Sequence, residues 1–256
     1  MKKNVSVGIF ADVAALTSEA GSHFIRVAQD AVAKRGVFTV ALSGGSTPKS
    51  LYTSMATNKS LRAAIPWSNT HFFFGDERHV PPDGPDSNFR MVNEAMLQRL
   101  PPGWTHIHRI LGELADAAEA ALRYEAEMRD FFETHGLVEE GFPRFDLIFL
   151  GLGPEGHTAS LFPESLALQE ARRWAVANWV AKLKTDRITL TFPVLNNARE
   201  VVLLVTGSAK AQIVVDVLER TATAPKYPVQ SVKPSSGTEH WMLDKAAASQ
   251  LSEVNA

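Results

Sequence analysis

Cysteine is absent from the 256-residue chain, which removes disulfides, thiol nucleophiles and thiolate metal sites together. That absence fits a reducing compartment, and the cytosol is the expected location. No apolar run approaches the roughly 20 residues needed to cross a bilayer. The opening stretch places two lysines ahead of apolar residues, but Asp12 interrupts it too early for a secretory signal. No membrane partner is expected. An excess of positive charge is missing as well: 26 Lys and Arg face 28 Asp and Glu, a net charge of −2. Without a basic field to gather a phosphate polymer, nucleic acid is not an expected partner. Repeats and low-complexity blocks are also lacking. What remains, 45% hydrophobic and 21% charged residues with 16 Gly and 14 Pro, is the composition of an ordinary globular protein. No linker divides it, so one domain over residues 1–256 is expected.

Hydrophobic patterning predicts an α/β fold. Short apolar runs at Val5–Phe10 and Val37–Leu42 flank a helix over Asp12–Arg35, a βαβ unit. Further strands are predicted at His71–Phe74, Phe145–Leu150, Arg187–Thr191 and Val201–Val205. Each is apolar enough for burial on both faces of a parallel sheet, with helices between most of them. Asp116–Thr134 reads as a surface helix, with Glu119/Arg123 and Glu125/Arg129 spaced for i,i+4 pairs. Pro81–Pro85 and Thr221–Thr238 are the predicted loops. In such sheets ligands bind beyond the carboxyl ends of the strands, which directs attention to the residues following each one.

Four such places carry polar chemistry. Ser43-Gly44-Gly45-Ser46-Thr47-Pro48 precedes a predicted helix from Lys49 and could cradle a phosphate through backbone N–H groups and the helix amino end. A plain turn capped by Ser46 or Thr47, with Pro48 at the first helical position, fits the same residues. Gly75-Asp76-Glu77-Arg78-His79, followed by Asp86-Ser87-Asn88, packs carboxylates, a guanidinium and an imidazole behind an aromatic strand. A solvated salt-bridged loop is the alternative there. Gly151, Gly153 and Gly156 match GxGxxG, but no acidic ribose reader stands about 20 residues on, so a dinucleotide site fails its own test. That loop is better suited to hold His157 at the start of a short helix, where the dipole disfavours imidazolium, whereas Glu155 would raise the ring's pKa and could also fix its tautomer; an incidental loop histidine is the alternative. Finally, Thr206-Gly207-Ser208-Ala209-Lys210 sets a cation in the first turn of a helix, a mild pointer to an anion. His106-x-His108 lacks a third ligand in sequence, so no metal site is predicted.

Taken in order, LSGGSTP at 42–48, GDERHVP at 75–81, DSN at 86–88, GLGPEGHTASLFP at 151–163, RITLTFPVLNNA at 187–198, TGSAK at 206–210 and GTEHWMLDKAA at 237–247 resemble the 6-phosphogluconolactonase family, sugar-phosphate lactonases related to glucosamine-6-phosphate deaminases. The resemblance spans nearly the whole chain. It implies a Rossmann-like, mostly parallel sheet with helices on both faces, no cofactor and no catalytic metal. It also implies a small-molecule partner, 6-phospho-D-glucono-1,5-lactone, hydrolysed to 6-phosphogluconate in the oxidative pentose phosphate pathway. The family usually carries Asp where this chain has Glu155, so the reach of that carboxylate differs.

Carried onto these residues, the resemblance makes His157 the base, with Glu155 orienting it and Arg78 in the catalytic set. Gly44, Gly45, Ser46 and Thr47 would hold the phosphate. Arg78, Arg187 and Lys210 are left undivided between phosphate and the C1 oxygen, and Asp76 and Asn88 position loops or sugar hydroxyls. A deaminase branch is disfavoured by Arg78, where that branch has an aromatic residue. A sensor attached to a DNA-binding module is disfavoured because the sequence opens directly on a strand. The oligomeric state is left open, with a monomer allowed.

Overall fold

The computed structural model describes residues 5–100, 106–219 and 226–252. Strand β1 (Val5–Phe10), helix α1 (Val13–Arg35) and strand β2 (Phe38–Leu42) form the predicted βαβ unit. Asp12 caps α1 by accepting from the Ala15 N–H, and Gly36, at φ 78°, ends it in the left-handed conformation that glycine adopts without strain. Next come α2 (Ser46–Thr57), α3 (Lys59–Ala64), β3 (Thr70–Phe74), β4 (Asp76–Arg78), α4 (Asn88–Ala95) and β5 (His106–Ile107). Helix α5 (Ala117–Thr134) lies where the charge pairs predict it, and the Glu119/Arg123 and Glu125/Arg129 bridges are formed. The chain continues through β6 (Val138–Glu139), β7 (Phe142–Pro143), β8 (Leu147–Leu150), β9 (Ala175–Val180) and β10 (Thr185–Leu190). It then forms α6 (Phe192–Asn197), β11 (Glu200–Val205), α7 (Ala211–Leu218) and β12 (Thr238–Asp244).

Seven strands make one parallel sheet in the order β1-β12-β11-β8-β2-β3-β5. Register fixes its two faces. Phe38, Val40, Phe72, Phe149 and Val202 share one face, against which Phe24 of α1 packs edge-on to Phe38 and parallel to Phe149. Phe73 points to the other face and meets Phe131 and Phe132 of α5. The fold is thus Rossmann-like, with helices on both faces of a mostly parallel sheet. Burial of each such ring stabilises the fold by roughly 1.5–3 kcal/mol before ordering costs are counted.

The predicted strand Arg187–Thr191 corresponds to β10, but it is not a member of the parallel sheet. It runs antiparallel between β4 and β9 in a separate three-stranded sheet. Its first half is only partly buried, so the apolar end alone resembles a sheet-core strand. Gly75 joins the two sheets: its N–H donates to the Leu42 carbonyl at 2.8 Å, and its carbonyl accepts from Leu190 N–H at 2.9 Å. Pro81–Pro85 is a loop as expected. Of the predicted loop Thr221–Thr238, residues 221–225 lie outside the described residues, while Pro228–Ser231 form a 3-10 turn.

Candidate active site

Four strands that are consecutive in the sheet, β11, β8, β2 and β3, end at one edge, and the turns following them close around a cavity of about 300 Å³. From β2 the chain builds outward to β3 and β5, then returns to place β8, β11 and β12 on the opposite side. The reversal between β2 and β8 leaves the crevice in which open α/β sheets bind ligands. Gly44, Gly45, Ser46, Thr47, Asp76, Arg78, Asn88, His157 and Lys210 all line it. Glu155 and Arg187 are not among the residues that line it. Ser43 and Thr206 of the predicted turns, and Thr158 and Ala159, none of which was given a role of its own from sequence, also face the cavity.

The first turn is a close-packed one. Helix α2 begins at Ser46, earlier than the predicted Lys49, and Gly45 precedes it at φ 109° with no side-chain cap. The capped-turn alternative therefore fails, and Gly44–Pro48 line the cavity with no side chain capping the helix. A Cβ at Gly44 would lie 1.9 Å from Asn88 Oδ1, so only glycine fits beside that amide. Thr47 Oγ1 meets Thr206 Oγ1 at 2.7 Å, tying this turn to the one that carries Lys210. Lys210 ends a 3-10 turn and caps α7 instead of lying in its first turn. Burial holds its ammonium below the ordinary lysine value, with Glu155 opposing.

The acidic segment divides into two roles. Glu77 accepts from the N–H groups of Arg78, Asn88 and Phe89, each at 2.7 Å, and from the Ser87 hydroxyl at 3.1 Å. Burial pushes its carboxyl up, and those backbone donors pull it back. It clasps β4 to the start of α4. Asp76 accepts from Ser160 Oγ at 2.6 Å and from Asn88 Nδ2 at 3.2 Å, joining this segment to the His157 loop. The Asn88 amide nitrogen also donates to the Asp76 carbonyl at 2.9 Å. Arg78 donates to the Asp86 carbonyl at 2.6 Å, and Arg187 is its register partner on β10. A buried guanidinium nitrogen of Arg187 has no hydrogen-bond partner, and burial followed by the charge of Arg78 holds Arg187 below the ordinary arginine value. Two adjacent guanidiniums with an unfilled donor favour an anion.

No helix follows His157. The chain instead makes tight turns, in which Gly156 N–H donates to the Gly153 carbonyl and Gly153 N–H to the His157 carbonyl, before an isolated bridge between Thr158 and Leu161. Thr158 Oγ1 closes the loop onto the Gly151 carbonyl at 2.9 Å. The predicted dipole is therefore absent, and the ring is held neutral for a different reason. It stacks half-buried on Phe162, with centroids 4.0 Å apart, and that partial burial lowers its affinity for a proton while Glu155 and Asp76 pull the other way. Glu155 Oε2 lies 3.2 Å from Nδ1, but out of line for a hydrogen bond, so its influence on the ring is chiefly coulombic. Burial works against the charge of Glu155, yet its own backbone N–H and Lys182, at 3.1 Å, hold its carboxyl below the ordinary value. The glycine pattern is explained by packing: a Cβ at Gly153 would lie 2.0 Å from the imidazole. Ala159, at φ 47°, is a strained residue two positions beyond the ring.

The sequence profile of the family described as Glucosamine-6-phosphate isomerases/6-phosphogluconolactonase matches residues 11–241. A 6-phosphogluconolactonase of Synechocystis sp. is 43% identical over 223 residues, 86% of this chain and 88% of its own length. One from Nostoc sp. is 38% identical over 253 residues, 98% of this chain and all of its own. Among solved structures, the devB protein is similar with a TM-score of 0.87 at 33% identity, covering 97% of this chain and 100% of its own. The 6-phosphogluconolactonase from Trypanosoma cruzi is similar with a TM-score of 0.84 at 29% identity, covering 99% of both chains.

Proposed function

The chain belongs to the glucosamine-6-phosphate isomerase/6-phosphogluconolactonase family, and on that premise we propose that it hydrolyses 6-phospho-D-glucono-1,5-lactone to 6-phosphogluconate with His157 as general base. The observation that carries this reading is one cavity holding a partly buried imidazole whose desolvation favours the neutral form, a glycine turn at a helix amino end, and the cations Arg78 and Lys210. Residues 1–256 act as one unit in it.

Phosphate seats against Gly44–Thr47 with Lys210 across from it, a pairing supported by the Thr47–Thr206 contact. Holding the phosphate makes attack at C1 effectively intramolecular. His157 takes a proton from water through Nε2, the nitrogen turned away from Glu155, as the oxygen adds to C1. Arg78 meets the oxyanion, with Arg187 beside it reinforcing the positive field. Collapse breaks the bond between C1 and the ring oxygen, and the imidazolium returns its proton to that oxygen. Asp76 and Asn88 hold the two loops together and Glu155 steadies the imidazolium as it forms. The lactone carbonyl is already electrophilic, so the reading requires no cofactor.

Purified, chelator-treated protein mixed with freshly generated lactone should release acid well above the spontaneous rate, and should release no ammonia from glucosamine 6-phosphate. Ammonia release, or no activity on either substrate, would overturn the reading.

A further inference from the structure

A second polar cluster lies on the face of the sheet covered by α1, at the amino ends of the strands and away from the cavity just described. His23 of α1 meets Glu200, the first residue of β11, with Nε2 2.6 Å from Oε2. His240 of β12 is in register with Val202 of β11, which puts its side chain on the same face as Glu200. Its Nε2 lies 3.2 Å from the same carboxylate oxygen. One donor atom from each of the three residues lies within 4.8 Å of the others, and among the described residues no other set of three or more His, Cys, Asp or Glu donors is so placed. A cavity of about 230 Å³ opens beside His23 and Glu200.

Hydrogen-bond partners define what is missing. His240 Nδ1 stands 2.7 Å from Ser6 Oγ, while its Nε2 is buried, out of line with the carboxylate and without a hydrogen-bond partner. With Nδ1–H donating to Ser6, the Nε2 lone pair faces a carboxylate oxygen, an arrangement satisfied by a cation between them. The Ser6 contact is also the outer support that a metal-bound imidazole needs on its other nitrogen. We propose that His23, Glu200 and His240 form a binding site for a divalent transition metal ion of the zinc class, clamping α1 onto β11 and β12 and leaving a coordination position toward the cavity. Two imidazoles and a carboxylate are a zinc donor set. Tetrahedral bonds of about 2.0–2.1 Å place donors roughly 3.3 Å apart, so the His23–Glu200 pair opens by less than about 1 Å to admit the ion.

Arg26 opposes occupancy in a way that supplies a test. Its Nη2 donates to His23 Nδ1 at 3.0 Å, which leaves the ring proton on Nε2, directed at Glu200. Metal at Nε2 moves that proton to Nδ1, where a guanidinium cannot accept it, and the Arg26 side chain, 61% exposed, must swing away. The neighbouring Arg35 is already paired with Asp146 at 2.7 Å, and Arg199 lies 3.4 Å from the same carboxylate.

Isothermal titration of the chelator-stripped full chain with zinc chloride should show one equivalent bound. Binding should persist in His157→Ala, which separates it from the candidate active site, and weaken at least about tenfold in His240→Gln and Glu200→Gln. Arg26→Gln, whose amide oxygen can accept from Nδ1–H, should bind more tightly. Absence of binding in the unaltered protein, its loss in His157→Ala, or undiminished affinity in His240→Gln overturns the proposal. If the substitutions at Glu200 and His240 prevent folding, the exposed Arg26→Gln variant decides: tighter binding supports the site, and equal or weaker binding overturns it.

Discussion

At His157 burial, and not a helix dipole, sets the proton affinity, and this fixes how turnover depends on pH. A base works only when unprotonated, so kcat/KM is full above its pKa and falls as pH drops through it. Because desolvation places that pKa below the ordinary 6.5, the acid limb should lie below pH 6.5 in a kcat/KM profile corrected for spontaneous hydrolysis. Glu155 raises the pKa of the ring, so Glu155→Gln should carry the limb to still lower pH, and a shift upward would contradict the coulombic assignment. His157→Ala should reduce kcat by roughly 10²–10⁴ while leaving phosphate-dependent binding in place. Lys210 gives the complementary outcome. Loss of a charged contact to phosphate, about 1.5–3 kcal/mol, should raise KM roughly tenfold to a hundredfold in Lys210→Ala with little change in kcat. A change confined to kcat would transfer Lys210 to the C1 oxygen.

The turns that present these side chains are elements in their own right, and their glycines are placed for packing. Gly153→Ala would drive a Cβ into the imidazole, so turnover should fall nearly as far as in His157→Ala, while the circular dichroism spectrum keeps its α/β character. Wild-type kcat in this variant would show that the ring can move without consequence. The failure of GxGxxG as a dinucleotide site and the loop's role in holding His157 were legible in sequence, but the contact that requires Gly153, a Cβ-to-imidazole clash, was not. The same limit applies to strands. Val5–Phe10 and Val201–Val205 announced themselves by apolarity, whereas β9 and β12 did not. The latter carries Glu239 and His240 inside its span, where Glu239 accepts from the Trp241 indole at 2.6 Å. Apolar content also says nothing of direction, which is why Arg187–Thr191 read as parallel although β10 pairs antiparallel with β4 and β9.

Across the whole molecule, the sequence named four polar turns but not their adjacency, which depends on the order β11-β8-β2-β3 and on the reversal between β2 and β8. Strand order is a property of long-range pairing that no local window contains. The same holds for a histidine cluster far apart in sequence. His71 of β3 stacks on His106 at 4.3 Å, contacts His108 at 3.1 Å and packs on Phe131 beside His135. The His106-x-His108 pair thus belongs to ring packing, with His108 also 2.8 Å from Glu127. Burial, and then the charges of those three neighbours, lower the His71 pKa to about 3. The unfolded chain takes up this proton near pH 6.5 while the folded protein refuses it until about pH 3. Stability from this residue is therefore complete above pH 6.5 and is lost as pH falls through the interval between the two values. Well inside that interval the slope approaches about 1.4 kcal/mol per pH unit. Urea unfolding at pH 7.5 and pH 5 should show the midpoint dropping with acid. His71→Phe, which keeps a ring against Phe131 and removes the titrating group, should flatten that dependence; an unchanged slope in the variant would move the acid sensitivity elsewhere in the protein.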